Sequence, residues 1–213
     1  MNETKTSEFF DSYAEDFNEI YGNENTFINN LINRIFRKSM MIRFKKTIEG
    51  CKPIKGKSVI DIGCGPGLYS IILAERGAEK VLGVDFAENM IKIAKEKAKR
   101  EGVTPKTSFV EADFFDYEIK RKYDYAVVMG LMDYIEKQEE FVDKVLSNIN
   151  KKAFFSFPVK KGFLAWQRKL RYKKRCDLYL YTEKDIKELF KNFDFESIDI
   201  EKISRDYFVT VKK

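Results

Sequence analysis

The chain has 213 residues with a formal net charge of +6, and it contains no histidine. A chain of this length is typical of one domain, so we expect a single domain over residues 1–213. Without histidine, Cys-His and Ser-His nucleophile pairs are excluded, and any proton transfer would depend on other side chains, the substrate or water.

The first fifty residues are predicted to be helical, because FINNLINRIFRKSMMIRFKKTI repeats apolar residues at three- to four-residue spacing. From residue 58 onward, short apolar runs alternate with amphipathic stretches. The expected strands are 58–63, 80–85, 107–113, 123–130, 153–159, 196–203 and 206–213. The expected helices after the first are 68–78, 87–102, 138–149 and 182–193, the last capped by Thr182.

This alternation is typical of an α/β fold in which a mainly parallel sheet carries helices on both faces. The last two predicted strands are joined by a short loop around Ser204, so we expect them to pair antiparallel. The chain shows no repeat, low-complexity segment or linker, which agrees with one domain.

A glycine-rich turn follows the first predicted strand in the stretch VIDIGCGPGLYS, with Gly63, Gly65 and Gly67 at every second position. Glycines let the backbone turn sharply and approach a ligand closely, and open parallel sheets bind ligands at the carboxyl ends of their strands. The dinucleotide fingerprint G-x-G-x-x-G is not met, because Leu68 occupies its third glycine position. The turn therefore predicts a ligand without a pyrophosphate.

Two acidic residues follow the next strands. Asp85 ends the second predicted strand and can accept hydrogen bonds from two ribose hydroxyls. Asp113 and Phe114 follow the third strand, where a carboxylate can accept from an exocyclic amine and a ring or a backbone N–H can meet a base. The alternatives are that Asp85 caps the helix beginning near Ala87 and that the glycines form an ordinary strand–helix turn.

The segments DIGCGPG, VDFAENMI, EADFFD and YDYAVVMGLMDYI together resemble the class I S-adenosylmethionine-dependent methyltransferases. The resemblance implies a Rossmann-like sheet of seven strands, the last of them antiparallel. It also implies S-adenosylmethionine as the methyl donor and S-adenosylhomocysteine as the product. An in-line displacement at a sulfonium can be accelerated by alignment alone, so a protein without histidine can carry it out.

The resemblance also implies roles for individual residues. Asp61 and Gly63 would neighbour the methionine part of the cofactor, Asp85 would bind the ribose, and Gly130 would lie near the sulfonium. The whole implied cofactor set is Asp61, Gly63, Gly65, Gly67, Asp85, Phe86, Met90, Asp113, Phe114 and Gly130. Met90 has the spacing of a core residue as well, and Cys64 is interpreted as a packing residue because nothing basic accompanies it.

The acceptor is less well specified. The fourth strand is not followed by the Asn- or Asp-Pro-Pro-aromatic motif of enzymes that methylate exocyclic base amines. Asp133 and Tyr134 could orient an acceptor or take its proton, or they could be a loop acid and a packed ring. Tyr13 and Tyr21 lie in the N-terminal region 1–50, which we expect to act as a lid, with an ordinary packing helix as the alternative.

The segment KKGFLAWQRKLRYKKR, residues 160–175, has eight lysines and arginines and no acid. Such a stretch can hold an anionic small molecule or lie on an anionic membrane, and it can also be a solvated helix. We predict a small-molecule acceptor, anionic or membrane-associated, with Arg168 and Arg171 as substrate residues. Methylation of RNA or protein through this segment, and a non-catalytic S-adenosylmethionine-binding module, are the alternatives.

Three widely spaced cysteines without a C-x-x-C pair argue against a disulfide framework and a zinc site. The N-terminus is acidic and polar, and no apolar run approaches the roughly 20 residues of a membrane helix. We therefore expect a cytoplasmic protein that needs no metal, and its oligomeric state is left open.

Overall fold

A computed structural model of the chain describes residues 27–160 and 178–213, with side chains from residue 38 onward. The chain divides into two compact units, residues 1–37 and 38–213. The described part of the first unit is helical, and the second unit contains the whole sheet. The expectation of one domain stays a prediction, as does the lid, most of which lies outside the described residues.

Seven strands form one sheet in the order β3-β2-β1-β4-β5-β7-β6. The strands are β1 (Ser58–Ile62), β2 (Lys80–Asp85), β3 (Thr107–Glu111), β4 (Tyr123–Val128), β5 (Ile149–Pro158), β6 (Ser197–Ile203) and β7 (Asp206–Lys212). Strands β1 to β5 pair in parallel, and only β7 runs antiparallel to its neighbours β5 and β6. The predicted seven-stranded, mostly parallel sheet with an antiparallel last strand is confirmed.

Five α-helices cover the sheet in the described parts of the chain. They are α1 (Phe27–Gly50), α2 (Leu68–Glu75), α3 (Glu88–Arg100), α4 (Gln138–Ser147) and α5 (Glu183–Phe190). Successive residues of β5 point to opposite faces. The ring of Phe154 lies against the end of α1 at Gly50, whereas the Phe155 ring lies 5.5 Å from the Phe190 ring of α5. Helices therefore lie on both faces, as predicted.

The turn chemistry at two places matches the sequence. Thr182 accepts a hydrogen bond from the Asp185 backbone N–H, and the Asp185 side chain accepts one from the Thr182 backbone N–H, so α5 begins with a capping box. Ser204, with a φ of 49°, connects β6 to β7 in a left-handed turn. Both predictions are confirmed.

Strand β5 begins four residues earlier than the predicted run. Asn150 and Lys151 are exposed and Lys152 is half-buried, so this part of the strand lacks the apolar pattern that marks a buried strand. Pairing on both sides extends it, since Ile149 lies opposite Tyr123 of β4 and Lys152 lies opposite Lys212 of β7. The amino-acid pattern alone could not show a strand whose first residues lie at the solvent-exposed margin of the sheet.

The order of the strands places the ligand crevice. Strand β1 lies between β2 and β4, and the chain proceeds outward from β1 in one direction before it crosses to β4 on the other side. In open α/β sheets, the carboxyl ends of strands at such a reversal form a crevice that binds ligands. The glycine-rich turn follows β1 at this position.

Gly83 in β2 lies where the sheet, the glycine-rich turn and β3 are packed closely. A Cβ built at Gly83 would lie 2.7 Å from the Phe109 ring and 2.9 Å from Cys64 Sγ. We expect Gly83→Ala to lower the free energy of unfolding by about 1–3 kcal/mol because of overpacking. Urea denaturation would measure this, and the added change Phe109→Leu should cost less than the sum of the two single changes. Without a clash, alanine in a strand would be stabilising, so a more stable Gly83→Ala protein would contradict the prediction.

Candidate functional site

The glycine-rich turn runs from the end of β1 to the start of α2. Its three glycines, Gly63, Gly65 and Gly67, have φ values of 69°, 51° and 81°, which other residues rarely adopt. The backbone N–H groups of Gly63 and Cys64 both donate to the carbonyl oxygen of Val84, at 2.8 and 3.1 Å. These two hydrogen bonds hold the turn against the end of β2, so backbone interactions fix the conformation of the turn.

Two of these glycines differ in their surroundings. A Cβ at Gly67 would lie 3.1 Å from both Ala94 and the Phe109 ring, so glycine is needed there for packing as well as for its φ. A Cβ at Gly65 would have no described atom within 4 Å. The backbone at Gly65 is thus open, and a ligand can approach it without meeting a side chain.

Asp85 ends β2 beside this open backbone. Its Oδ2 accepts a hydrogen bond from the Gly65 N–H at 2.8 Å, and its Oδ1 accepts one from the Ala87 N–H at 2.9 Å. Ala87 is itself the N-cap of α3, which has no side-chain capping bond, so Asp85 does not cap the helix as the alternative supposed. The bond to Gly65 links Asp85 to the glycine-rich turn. A carboxylate has about four acceptor sites, so both oxygens can still accept from hydroxyl groups of a ligand.

Four other residues of the predicted cofactor set follow β2 and β3. Phe86 is 76% exposed and Met90 is half-buried on α3. Asp113 is exposed, and its Oδ1 accepts from the Phe115 N–H. The Phe114 ring is buried against Phe141, with ring centroids 5.2 Å apart, so a contact of Phe114 with a base would have to use its backbone.

Asp61 lies beneath the turn. Its carboxyl group is fully buried, and its Oδ2 accepts hydrogen bonds from the Ser70 N–H at 3.1 Å and the Ser70 hydroxyl at 2.7 Å. Burial raises the pKa of Asp61 to about 7, although the bonds from Ser70 act to lower it. Because the side chain is enclosed, Asp61 holds the start of α2 against β1, and it would neighbour a methionine group only indirectly.

The turn after β4 lies next to the glycine-rich turn. A Cβ at Gly63 would be 3.2 Å from the Leu131 side chain, so the two turns touch. Gly130 has a φ of 74°, and its N–H donates to Ser156 Oγ on β5 at 2.7 Å. The predicted cofactor residues at the ends of β1, β2 and β4 therefore share one edge of the sheet.

The predicted catalytic pair is divided by burial. Asp133 is 3% exposed, whereas Tyr134 is 44% exposed. The Asp133 carbonyl oxygen accepts from the Tyr179 N–H at 2.9 Å, and the Tyr181 hydroxyl donates to the Met132 carbonyl oxygen at 3.0 Å. Burial raises the pKa of Tyr181, and the charge of Asp133 raises it further, so the phenol stays protonated as a donor. Catalytic roles for Asp133 and Tyr134 stay predictions.

A buried polar cluster lies beside the turn at Gly130 that follows β4, and the sequence analysis did not predict it. Arg43 Nη1 on α1 donates to Ser156 Oγ at 3.2 Å and lies 3.7 Å from Asp206 Oδ2 on β7. The Ser39 hydroxyl donates to the same Asp206 oxygen at 2.8 Å. The signal in the sequence was Ser156, a polar residue inside the apolar strand AFFSFPV.

Four predicted substrate residues, Tyr13, Tyr21, Arg168 and Arg171, lie outside the described residues. Cys64 is buried, and burial raises the pKa of its thiol, which agrees with a packing role.

Within residues 27–160 and 178–213, no group of three or more Cys, Asp or Glu side chains is placed to hold a metal ion. None of the described helices is long and apolar enough to cross a membrane.

Comparison with known proteins bears directly on this site. Residues 59–152, from β1 to the start of β5, match the family model of a methyltransferase domain. Over these residues the chain is similar to a methyltransferase domain, as the resemblance to the class I S-adenosylmethionine-dependent methyltransferases implied. The match includes the glycine-rich turn, Asp85, Asp113 and Gly130, so the sequence resemblance is confirmed.

The relatives that this domain resembles are named for methyl transfer to different acceptors. A protein provisionally named as a protein N5-glutamine methyltransferase, from Methanocaldococcus jannaschii, is 38% identical over 97 residues, 46% of each chain. The mitochondrial ubiquinone biosynthesis O-methyltransferase of Dictyostelium discoideum is 30% identical over 125 residues, 54% of this chain and 39% of that protein. The chain thus spans about half or less of the length of these relatives.

The fold has counterparts among solved structures. Magnesium protoporphyrin IX methyltransferase from Synechocystis PCC 6803, crystallised with bound S-adenosylhomocysteine, covers 100% of both chains with a TM-score of 0.73 and 21% identity. At this identity the likeness concerns the fold. S-adenosylmethionine is the cofactor of the family, and the open backbone at Gly65 beside Asp85 fits a ribose.

Proposed function

We propose that the protein is an S-adenosylmethionine-dependent methyltransferase that acts on a small-molecule acceptor. The observation that carries the proposal is the Asp85 carboxylate, which is held by the Gly65 N–H beside an open stretch of glycine backbone. A carboxylate that can accept hydrogen bonds from hydroxyl groups thus lies next to exposed glycine backbone. This arrangement suits a ribose. The turn has no lysine of the kind that binds phosphate in a P-loop.

When bound, S-adenosylmethionine supplies a methyl group on a positively charged sulfur. The chain's own residues would hold and orient the two reactants. Asp85 would fix the ribose, and the exposed Phe86 ring would cover one face of the adenine. The turn at Gly130 would bring the acceptor into line with the bond between methyl carbon and sulfur, and such alignment supplies rate without an acid or a base.

A small-molecule acceptor is supported by two comparisons and by the edge of the sheet itself. One relative is named for O-methylation in ubiquinone biosynthesis, and the neighbour is named for magnesium protoporphyrin IX; both names refer to small molecules. At the carboxyl edge of this protein, apolar and aromatic side chains are partly exposed, among them Leu131, Tyr134 and Tyr179. An apolar lining with few polar groups is typical of small-molecule sites.

The test is methyl transfer from a donor labelled in its methyl group. The whole protein would be incubated with small-molecule extracts, with RNA and with protein extracts, and the label would be followed by mass spectrometry. Label in a small molecule supports the proposal. Label in RNA or protein would show that the acceptor is a macromolecule and would contradict the proposal. Binding of the donor without any labelled product would favour a non-catalytic binding module.

The basic segment is the proposed acceptor contact. Residues 161–177 lie outside the described part of the chain, but Val159 and Tyr181 on either side form a parallel β-bridge at the carboxyl end of β5. The segment therefore leaves and re-enters the fold at the edge that bears Gly130. Arginine suits an anionic acceptor because its planar group can hold a carboxylate or phosphate through two parallel bonds.

We expect Arg168→Ala with Arg171→Ala to lower the acceptor's kcat/KM at least about tenfold while the affinity for S-adenosylmethionine stays constant, because a hydrogen bond to a charged group contributes roughly 1.5–3 kcal/mol. Liposomes with anionic lipid would show in parallel whether membrane binding falls. The control is Lys184→Ala with Lys187→Ala, which removes the same charge from exposed positions of α5. If neither acceptor kinetics nor liposome binding changes, the segment has no part in acceptor recognition.

A further inference from the structure

The chain that follows β3 runs beside Asp85. The Ala112 N–H donates to the Asp85 carbonyl oxygen at 2.9 Å, directly after the parallel register pair of Asp85 with Glu111. Neighbouring strands lie about 4.8 Å apart, which is less than the length of a purine. A purine attached to a ribose at Asp85 can therefore reach the chain after β3, where Asp113 is exposed.

Asp113 opens a tight turn over residues 113–117. Its Oδ1 accepts a hydrogen bond from the Phe115 N–H at 2.8 Å, and its carbonyl oxygen accepts one from the Tyr117 N–H at 3.0 Å. A carboxylate has further acceptor sites, so Asp113 can still accept from an exocyclic amine of a ligand. The direction of this carboxylate is set by the position of the Phe115 N–H, and so by the backbone of the turn.

A lysine of α4 holds this turn from below. Lys144 is half-buried, and its Nζ donates to the Phe115 carbonyl oxygen at 2.7 Å. The same ammonium group lies 5.3 Å from the centre of the Phe114 ring. Hydrogen bonds from a charged donor are stronger than neutral ones, and a cation over an aromatic face adds to them. Lys144 therefore contacts both residues that follow Asp113.

The same face of α4 also supplies an apolar contact. Phe141, three residues before Lys144, is fully buried, and its ring centroid lies 5.2 Å from that of Phe114 and 5.8 Å from that of Phe115. Ring packing of this kind holds side chains but leaves the peptide groups of the turn free to tilt. The directional bond from Lys144 to the Phe115 carbonyl oxygen fixes the backbone.

We propose that Lys144 is a positioning residue for recognition of the adenine amine, acting through the turn of residues 113–117. The inference rests on the proposed function and on acceptance of the exocyclic amine by Asp113. A binding group stays within about 0.5 Å of its productive place only when neighbouring hydrogen bonds and packing hold it. Lys144 holds Phe115, and the Phe115 N–H holds Asp113 Oδ1, so the lysine determines where the carboxylate points.

The test is isothermal titration calorimetry of the whole protein with two ligands, S-adenosylhomocysteine and its analogue with hydrogen in place of the adenine amine. The unaltered protein is expected to bind S-adenosylhomocysteine about tenfold more tightly, because the amine donates to a carboxylate. Lys144→Met removes the charged donor and keeps an unbranched side chain. It is expected to reduce this preference to about threefold. The affinity for the analogue should stay constant, because the analogue has no amine to lose.

Two further variants and a control make the result specific. Lys144→Arg keeps a charged donor and is expected to retain most of the preference. Lys144→Gln is the second neutral variant, with the same expected fall, for use if Lys144→Met does not fold. The control is Lys137→Met, which removes the same charge from the N-cap position of α4. Lys137 is 70% exposed and pairs with Glu140, so its loss should leave the preference unchanged.

A merely structural role for Lys144 would weaken both ligands alike, because a general loss of folded protein does not distinguish them. Equal weakening of the two ligands in Lys144→Met, or an unchanged preference, would therefore show that the inference is wrong. If the unaltered protein binds the two ligands equally, the amine is not recognised at Asp113 and the inference fails, while the proposed function stands. If neither ligand binds the unaltered protein, the proposed function itself fails.

Discussion

Replacing Asp85 by alanine is expected to weaken binding of both S-adenosylmethionine and S-adenosylhomocysteine by between about five- and 150-fold. The change removes the acceptor for two ribose hydroxyls, and leaving such groups unpaired costs roughly 1–3 kcal/mol. It also removes the acceptor of the Gly65 and Ala87 N–H groups, so the glycine-rich turn loses a fixed point. Isothermal titration calorimetry measures both affinities.

The design includes a matched acid and a different cofactor. Asp116 is an exposed carboxylate beyond the end of β3, and Asp116→Ala should bind both ligands as the unaltered protein does. NAD should bind far more weakly than either ligand, because the third glycine of the dinucleotide fingerprint is replaced by Leu68. Tight binding of NAD, or an unchanged affinity in Asp85→Ala, would overturn the assignment of this carboxylate.

The part of the site made by local sequence was predictable. Gly63, Gly65 and Asp85 lie within one β-turn-α-β unit, and the spacing of such a unit fixes which residues come to the carboxyl edge. The structure adds the direct bond between Gly65 N–H and Asp85, which links two residues that the sequence had assigned to one ligand for separate reasons.

The polar cluster was not predictable for the opposite reason. Arg43 is separated from Ser156 by 113 residues, and Ser39 from Asp206 by 167 residues. No periodic pattern relates positions that far apart. Their contact depends on α1 packing against β5 and on β7 inserting between β5 and β6, and only the assembled sheet shows this.

The pattern of apolar residues in the sequence also could not predict which polar side chains are buried. Residues 59–62 of β1 are all buried, because a parallel sheet covered by helices on both faces gives no alternation of exposed and buried positions. Asp61 therefore gave no sign in the sequence that its carboxyl group is enclosed. The sequence likewise gave no sign of the different environments of Phe114 and Asp133, which depend on the path of the chain after β3 and β4.

The enclosed carboxyl group of Asp61 should make stability depend on pH. Burial raises its pKa to about 7 in the folded protein, whereas an aspartate in an unfolded chain titrates near pH 4. Between these values the folded state holds a proton that the unfolded state has released, so the free energy of unfolding must fall as pH rises from about 4 to 7. A difference of about three pKa units corresponds to about 4 kcal/mol.

Asp61→Asn isolates this contribution, because the amide keeps an oxygen that can accept from Ser70 but does not titrate. Compared with the unaltered protein by urea denaturation, Asp61→Asn is expected to gain relative stability steadily between pH 4 and pH 7, by up to about 4 kcal/mol, and to show no further gain above pH 8. Ser70→Ala removes the hydroxyl that lowers the pKa of Asp61. In the Ser70→Ala protein, the fall in the free energy of unfolding with rising pH should therefore continue to higher pH. Asp124→Asn replaces a carboxylate in β4 that also accepts from a serine, Ser58, and serves as the matched control. A difference between Asp61→Asn and the unaltered protein that stays constant across this range would mean that Asp61 is charged throughout. In that case the bonds from Ser70, and not burial, would decide its state.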